Sequence, residues 1–252
     1  MTEVPMDKRF AEWEHLAFAA VNAAPKVTTM AMNYDLGRET LHDLYDPMCD
    51  YVRYRELELL SEMIRMRDVP GAVAEAGVDM GQTSAILSRL FPDRELFLYD
   101  TFEGFPEEAV DIEAASFEFD RKIADKWKLV RPSSDLIISR VCQGLSSPEH
   151  AHIRKGIFPA AAEEDRNVTF AFVLLDMDLY KSMLDGILFF YPRLAPEAYL
   201  MLHDYNTCKF EGTRQAFLDA EKELGPFTAF PLPDQGGSLV IRKPGSTMKK
   251  QR

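Results

Sequence analysis

The stretch Val73-Ala-Glu-Ala-Gly-Val-Asp-Met-Gly-Gln-Thr-Ser84 constrains this chain more than any other part of it. An apolar run that meets two glycines and then a helix-forming sequence predicts a strand-to-helix turn. Gly77 and Gly81 lack Cβ, so the backbone can turn sharply there and come close to a ligand. A helix opening near Gln82 aims free N–H groups and the positive end of its dipole at the same place. The next apolar run, Leu96-Phe-Leu-Tyr-Asp100, ends in an acid roughly 20 residues beyond the first glycine, where a carboxylate accepts hydrogen bonds from ribose hydroxyls in nucleotide-binding α/β folds. The pair predicts a grip for an adenosine-bearing cofactor. An ordinary βα turn without a ligand is the competing reading.

Glycine spacing then selects among cofactors. A nicotinamide fingerprint needs G-x-G-x-x-G, but Asp79 stands at the second glycine position and Gln82 at the third, so a pyrophosphate would meet a carboxylate. A nucleoside without phosphates and with a cationic centre, S-adenosylmethionine, suits the E-x-G-x-x-x-G pattern that starts at Glu75.

With 252 residues the chain is long enough for one large α/β domain with appendages. A formal charge of −12 and a pI near 4.9 argue against a phosphate-backbone partner, and no nucleic acid is expected. Cys49, Cys142 and Cys208 are far apart and lack metal-ligand spacing, as reduced cytoplasmic thiols do. The patch Leu16-Ala-Phe-Ala-Ala-Val21 is too short to span a bilayer and lacks a basic flank, so a cytoplasmic protein with no membrane partner is expected.

Along the chain, residues 8 to 24 and 51 to 67 read as helices that form an N-terminal cap over residues 1–67. A mostly parallel, Rossmann-like α/β domain with helices on both faces follows over 68–243, and residues 244–252 read as a tail. Strands are predicted at 72–76, 95–100, 151–154, 170–175 and 198–202, with a terminal hairpin over 228–242. Helices are predicted at 82–90, 181–191 and 213–224, and Leu194-Ala-Pro-Glu197 reads as a turn. The segment from Glu107 breaks this alternation with scattered charges and aromatics; a lid insertion is expected over about 107–150.

Ligands gather at the carboxyl ends of strands in open α/β sheets, so Asp100, Asp176, Asp178, His203 and Asp204 form one expected neighbourhood. Carboxylates crowded at the mouth of a buried strand repel unless a cation or proton lies between them. A divalent metal on Asp176 and Asp204, with His203 adding nitrogen, answers that problem, and Asp178 can take a proton from a hydroxyl that the metal acidifies. Asp178 as an N-cap of the following helix is the alternative. Arginines and aromatics of the lid, with Tyr180 and Tyr205, are candidates for lining an acceptor site.

Several blocks resemble one known family. They are Val69-Pro-Gly-Ala-Val-Ala-Glu-Ala-Gly-Val78, Asp100-Thr-Phe-Glu-Gly-Phe-Pro106, Lys155-Gly-Ile-Phe-Pro159, Leu175-Asp-Met-Asp-Leu-Tyr-Lys-Ser182, Asp204-Tyr205 and Gly212-Thr-Arg-Gln-Ala216. Over about residues 50 to 243 the chain resembles the metal-dependent sugar O-methyltransferases of macrolide and aminocoumarin biosynthesis, the macrocin O-methyltransferase type. The resemblance implies a class I methyltransferase fold, S-adenosylmethionine on Glu75, Gly77 and Asp100, Mg²⁺ on Asp176 and Asp204, Asp178 as general base, and assembly into a homo-oligomer. Further cofactor contacts are expected from Gly81, Thr83, Ser84, Thr101, Phe102, Gly156 and Asp176. The expected substrate is a hydroxylated small molecule, a sugar or polyol.

This chain departs from the family pattern at one position. An Asp-Asp-Tyr triplet in the family is His203-Asp204-Tyr205 here, replacing a carboxylate with an imidazole. Mg²⁺ prefers oxygen, whereas Mn²⁺, Fe²⁺ and Zn²⁺ accept nitrogen, so either the metal has changed or it has been lost. In the second case His203 becomes a candidate base, and the enzyme one that methylates nitrogen or carboxylate or rearranges the cofactor.

Overall fold

The apolar runs of the sequence become a seven-stranded sheet in the computed structural model, which describes residues 50 to 245 except 118, 208 and 209. Its strands are β1 (Ala72–Ala76), β2 (Leu96–Asp100), β3 (Ala151–Lys155), β4 (Phe170–Leu175), β5 (Leu194–Leu202), β6 (Thr228–Pro231) and β7 (Leu239–Arg242), in the order β3-β2-β1-β4-β5-β7-β6. The first five run parallel, and β7 is antiparallel to both β5 and β6. Every residue of β1 and β4 is buried, as strands covered on both faces must be.

The helices are α1 (Tyr51–Met66), α2 (Gln82–Leu90), α3 (Glu107–Ser116), α4 (Lys122–Val130), α5 (Ser134–Gly144), α6 (Tyr180–Arg193) and α7 (Glu211–Leu224). From β1 the chain passes through α2 to β2 in one direction along the sheet, and from β4 through α6 to β5 in the other. Right-handed crossovers therefore place α2 and α6 on opposite faces, and the order reverses between β1 and β4. That reversal opens a crevice at the carboxyl ends of the two strands.

Two local expectations are corrected. The segment Leu194 to Glu197 is not a turn ahead of β5 but its first part, where Leu194 pairs with Phe170 before the register shifts at Phe172 and Tyr199. Pro196 has no N–H to give a ladder and Glu197 sits at φ 69°, so the strand bulges there instead of ending. Helix α6 begins at Tyr180 with Leu179 as N-cap, so Asp178 does not cap it. Glu113 of α3 takes that role from a distance: Tyr180 N–H donates to its Oε2 at 2.7 Å, and Gly212 N–H at the start of α7 donates to Oε1 at 3.1 Å.

Between β2 and β3, where a lid insertion was expected, the chain forms α3, α4 and α5. The helix expected at 8–24, Cys49, Cys208 and the tail beyond 245 lie outside the described residues. Cys142 is a half-buried free thiol. Among the described residues no helix is long and apolar enough to cross a membrane.

Candidate active site

Sheet register brings the predicted residues together. Beyond the strand ends the ladder continues for one more step: Gly77 N–H donates to Tyr99 O at 2.9 Å, Asp176 N–H to Ala76 O at 2.8 Å, and His203 N–H to Leu175 O at 2.9 Å. The loops after β1, β2, β4 and β5 are thereby held side by side, and the first three border a cavity whose empty space, open solvent at its mouth included, is about 620 Å³. Gly77, Asp100, Thr101, Gly156, Asp176 and Asp178 line it.

Gly77 has no substitute here. Its φ is 94°, and a Cβ would stand 1.9 Å from the Asp176 carbonyl oxygen. Asp100 organises the turn that follows: its Oδ2 accepts Val78 N–H at 2.8 Å and Asp79 N–H at 2.9 Å, and its Oδ1 accepts Phe102 N–H at 2.6 Å. A carboxylate offers about four acceptor positions, so most of this one is already engaged by backbone and little is left for a ribose. Of the six non-glycine residues with positive φ among the described residues, Asp79 (48°) and Asp178 (62°) line the cavity, and Phe102 (55°) and Asp204 (55°) stand in the loops beside it. Such strain persists only where neighbours enforce it, and it clusters at functional sites.

Glu75, Gly81, Thr83, Ser84 and Phe102 stand behind the wall. Glu75 is fully buried, and burial pushes its carboxyl up to about 8; the bond donated by the Ser84 hydroxyl opposes this, and the Asp176 charge adds to it. The acid thus ties the first turn of α2 to β1 in its protonated form at neutral pH. Gly81 lets α2 approach α5, since a Cβ there would meet the Val141 side chain at 2.8 Å.

Beside Asp176 in the cavity wall, His203 Nδ1 lies 2.8 Å from Asp176 Oδ1 and 3.1 Å from Asp204 Oδ2. Candidate ligand atoms of Asp176, His203 and Asp204 all lie within 4.8 Å of one another. Burial lowers the pKa of His203, but the charge of Asp176 and the close approach of the Asp176 and Asp204 carboxylates to the ring outweigh it and raise the imidazole to about 10. Burial, then the charges of Asp176 and Asp204, push the Asp178 carboxyl well above its usual range. On the far side of the ring Gly236 of the hairpin turn packs against His203, where a Cβ would come within 2.5 Å of Nε2.

Several contributors escaped the sequence reading. Arg53 of α1 reaches Asp176 Oδ2 at 3.4 Å, Thr213 Oγ1 donates to the Asp178 carbonyl at 2.8 Å, and Glu113 fixes the start of α6 just beyond Asp178. A signal existed for Arg53: it precedes Leu57, Leu60 and Ile64 at helical spacing, and a cation in a buried apolar stripe calls for an acid. Of the candidate acceptor-site residues, Arg131 lines the cavity, Tyr180 OH is bonded to Asp219 at 3.1 Å, and the Tyr205 ring packs edge-on against Phe217.

A family model described as Macrocin-O-methyltransferase (TylF) matches residues 6–225. The chain belongs to this family. A relative in Streptomyces olivaceus, 8-demethyl-8-(2,3-dimethoxy-alpha-L-rhamnosyl)-tetracenomycin-C 4'-O-methyltransferase, is 27% identical over 158 residues, covering 61% of this chain and 60% of its own length. The demethyldecarbamoylnovobiocin O-methyltransferase of Streptomyces niveus is 27% identical over 152 residues, covering 56% and 55%. The chain thus spans under two thirds of the length of these macrocin O-methyltransferase relatives. Two solved structures share the fold: the O-methyltransferase NovP, with TM-score 0.63 and 20% identity over 76% of this chain and 79% of that one, and the calicheamicin methyltransferase CalS11, with 0.58 and 18% over 96% and 94%. They bear out the class I methyltransferase architecture expected from the sequence.

Proposed function

We propose that this chain is an S-adenosylmethionine-dependent O-methyltransferase that acts on a sugar or polyol hydroxyl of a natural product, with a divalent metal held by Asp176, His203 and Asp204. One observation carries the reading: a glycine turn organised by Asp100 shares a cavity with Asp176 and Asp178, and His203 and Asp204 are clustered directly against Asp176. The relatives named for rhamnosyl-tetracenomycin and novobiocin substrates support the acceptor class.

The donor set fits a metal. His203 Nδ1 is buried with two carboxylate oxygens close by, yet makes no aligned hydrogen bond to either, as a lone pair directed at a shared cation would not. One nitrogen among oxygens favours Mn²⁺ or Fe²⁺ over Mg²⁺. A metal there supplies Lewis acidity to an acceptor hydroxyl, and the cofactor supplies the sulfonium methyl.

The rest falls to the chain. Acceptor oxygen, methyl carbon and sulfur must be in line, and rigid loops at strand ends provide that alignment. Asp178 accepts the hydroxyl proton at its carboxylate, whose basicity burial and the charges of Asp176 and Asp204 increase. Arg53 and His203 hold Asp176 in place, and α3 to α5 form the lid over the crevice.

A metal-free variant of this reading has one observation in its favour: protonated His203 itself supplies a positive charge between Asp176 and Asp204. Its high pKa also makes it a poor base at neutral pH. The test is methyl transfer from labelled cofactor to glycosylated macrolide, aminocoumarin and polyketide acceptors. We expect EDTA to abolish it and Mn²⁺ to restore it better than Mg²⁺. Turnover unchanged by EDTA overturns the metal, and no transfer to any acceptor overturns the activity.

A further inference from the structure

Four aspartates, Asp79, Asp100, Asp176 and Asp178, line the cavity, and Arg131 is the single basic side chain among its described lining residues. Its place follows from local sequence. Pro132 forces the residue before it out of helical geometry, so α4 stops and Arg131 takes extended backbone at φ −74° and ψ 136°. From there its Nη2 reaches Asp79 Oδ1 at 2.8 Å, on the glycine turn.

This pair is lopsided. Asp79 is 53% exposed, whereas the Arg131 side chain is 11% exposed and its Nε is buried without a hydrogen-bond partner. A guanidinium has five donors in a planar fork, and burying one of them unsatisfied is costly unless a ligand completes it. Four N–H groups of the glycine turn are already engaged: those of Gly77, Val78, Asp79 and Gly81 donate to Tyr99 O, Asp100 Oδ2, Asp100 Oδ2 and Val78 O. An anionic group entering at this end meets the one basic side chain among the described lining residues, and an ammonium group meets the exposed oxygens of Asp79.

We propose that Arg131 and Asp79 form a clamp for an α-amino-acid zwitterion, the guanidinium binding the carboxylate and Asp79 the ammonium group of the cofactor's amino-acid tail. The inference rests on the S-adenosylmethionine reading above and deepens it. In this clamp the ion pair between lid and glycine turn is replaced by two pairs through the ligand, so the tail bridges the two chain segments.

The test is calorimetric binding to the full-length protein of three ligands: S-adenosylhomocysteine, its decarboxylated analogue, which keeps the amine, and 5′-methylthioadenosine, which has neither charge. In the wild type, loss of the carboxylate should weaken binding roughly 10- to 100-fold, the range for hydrogen bonds to a charged group. Arg131→Ala should bind S-adenosylhomocysteine weaker by a similar factor, bind 5′-methylthioadenosine as the wild type does, and no longer distinguish the carboxylate. Arg131→Lys should recover part of the difference. Asp79→Asn should act on the amine in the same way but less, because Asp79 is exposed. If Arg131→Ala weakens all three ligands equally or none, or if the wild type ignores the carboxylate, the clamp is wrong. Should Arg131→Ala fail to fold, the wild-type comparison of the first two ligands still decides. A wild type that binds none of the three overturns the cofactor reading itself, and the clamp with it.

Discussion

The two ends of the cavity use the same residue type to opposite effect. At the β1 and β2 end, Asp100 is met by three backbone N–H groups and holds the loop that carries them. At the β4 and β5 end, Asp176, Asp178 and Asp204 face one another around a single histidine, and Asp178 is driven towards its protonated form. An aspartate satisfied by backbone donors is part of the scaffold; one crowded by its own kind is held ready to change charge.

Substitutions can break this contrast, and the largest effect is on turnover. Asp178→Asn should lower kcat roughly 100- to 10,000-fold, the range for a general base, while S-adenosylhomocysteine binding stays as it is. Because the change removes a repelled carboxylate, the variant should also melt at a higher temperature than the wild type. A variant that keeps its kcat would show that the crowded end is not the reactive one.

Next is Glu75, whose carboxyl is raised in the folded state to about 8 from an ordinary 4.5. The native state then holds more protons than the unfolded chain between those values, so stability is full below pH 4.5, falls as pH rises to about 8, and levels off beyond it. The swing should amount to a few kcal/mol, because each tenfold change in a group's acidity between the two states is worth about 1.4 kcal/mol. Glu75→Gln should flatten the profile in denaturant titrations from pH 5 to 9; an unchanged slope would mean that Glu75 is ionised in the fold.

Smaller still is Asp100→Asn, which puts an amide group where backbone donors converge and should cost about 1–3 kcal/mol in urea unfolding. Its sign, opposite to that of Asp178→Asn, is the sharpest form of the comparison. Glu113→Gln should cost about 1–2 kcal/mol by the same reasoning, since one of the two helix starts loses its acceptor. A neutral result there would separate Glu113 from the placement of α6.

What could be read in advance followed from range. β1, β2, β4 and β5 announce themselves as short apolar runs, and each predicted acid stands close after such a run, so Asp100, Asp176, Asp178, His203 and Asp204 fell together once strand ends were identified. Glu113 and Arg53 act across 67 and 123 residues; helical spacing marks Arg53 as a cation in an apolar stripe, but no local pattern names the group that either residue meets. Asp178 had the composition of an N-cap, but the backbone donor it was expected to serve is held by an acid from another helix. The helices after β2 were missed because their exposed turns are dense in charge and what they bury is brief, Ala109 and Val110 in α3 and Ile137 and Val141 in α5. The bulge in β5 looked like a turn because proline and a left-handed residue mark both.

The left-handed backbone at Asp79, Asp178 and Asp204 governs which exchanges a designer of altered specificity can make. Asparagine and aspartate visit that region more readily than other side chains, so glutamate at these positions lengthens the acid and also disfavours the bend beneath it. Engineering of acceptor range is better directed at neighbours in ordinary conformations, leaving the short acids where the main chain requires them.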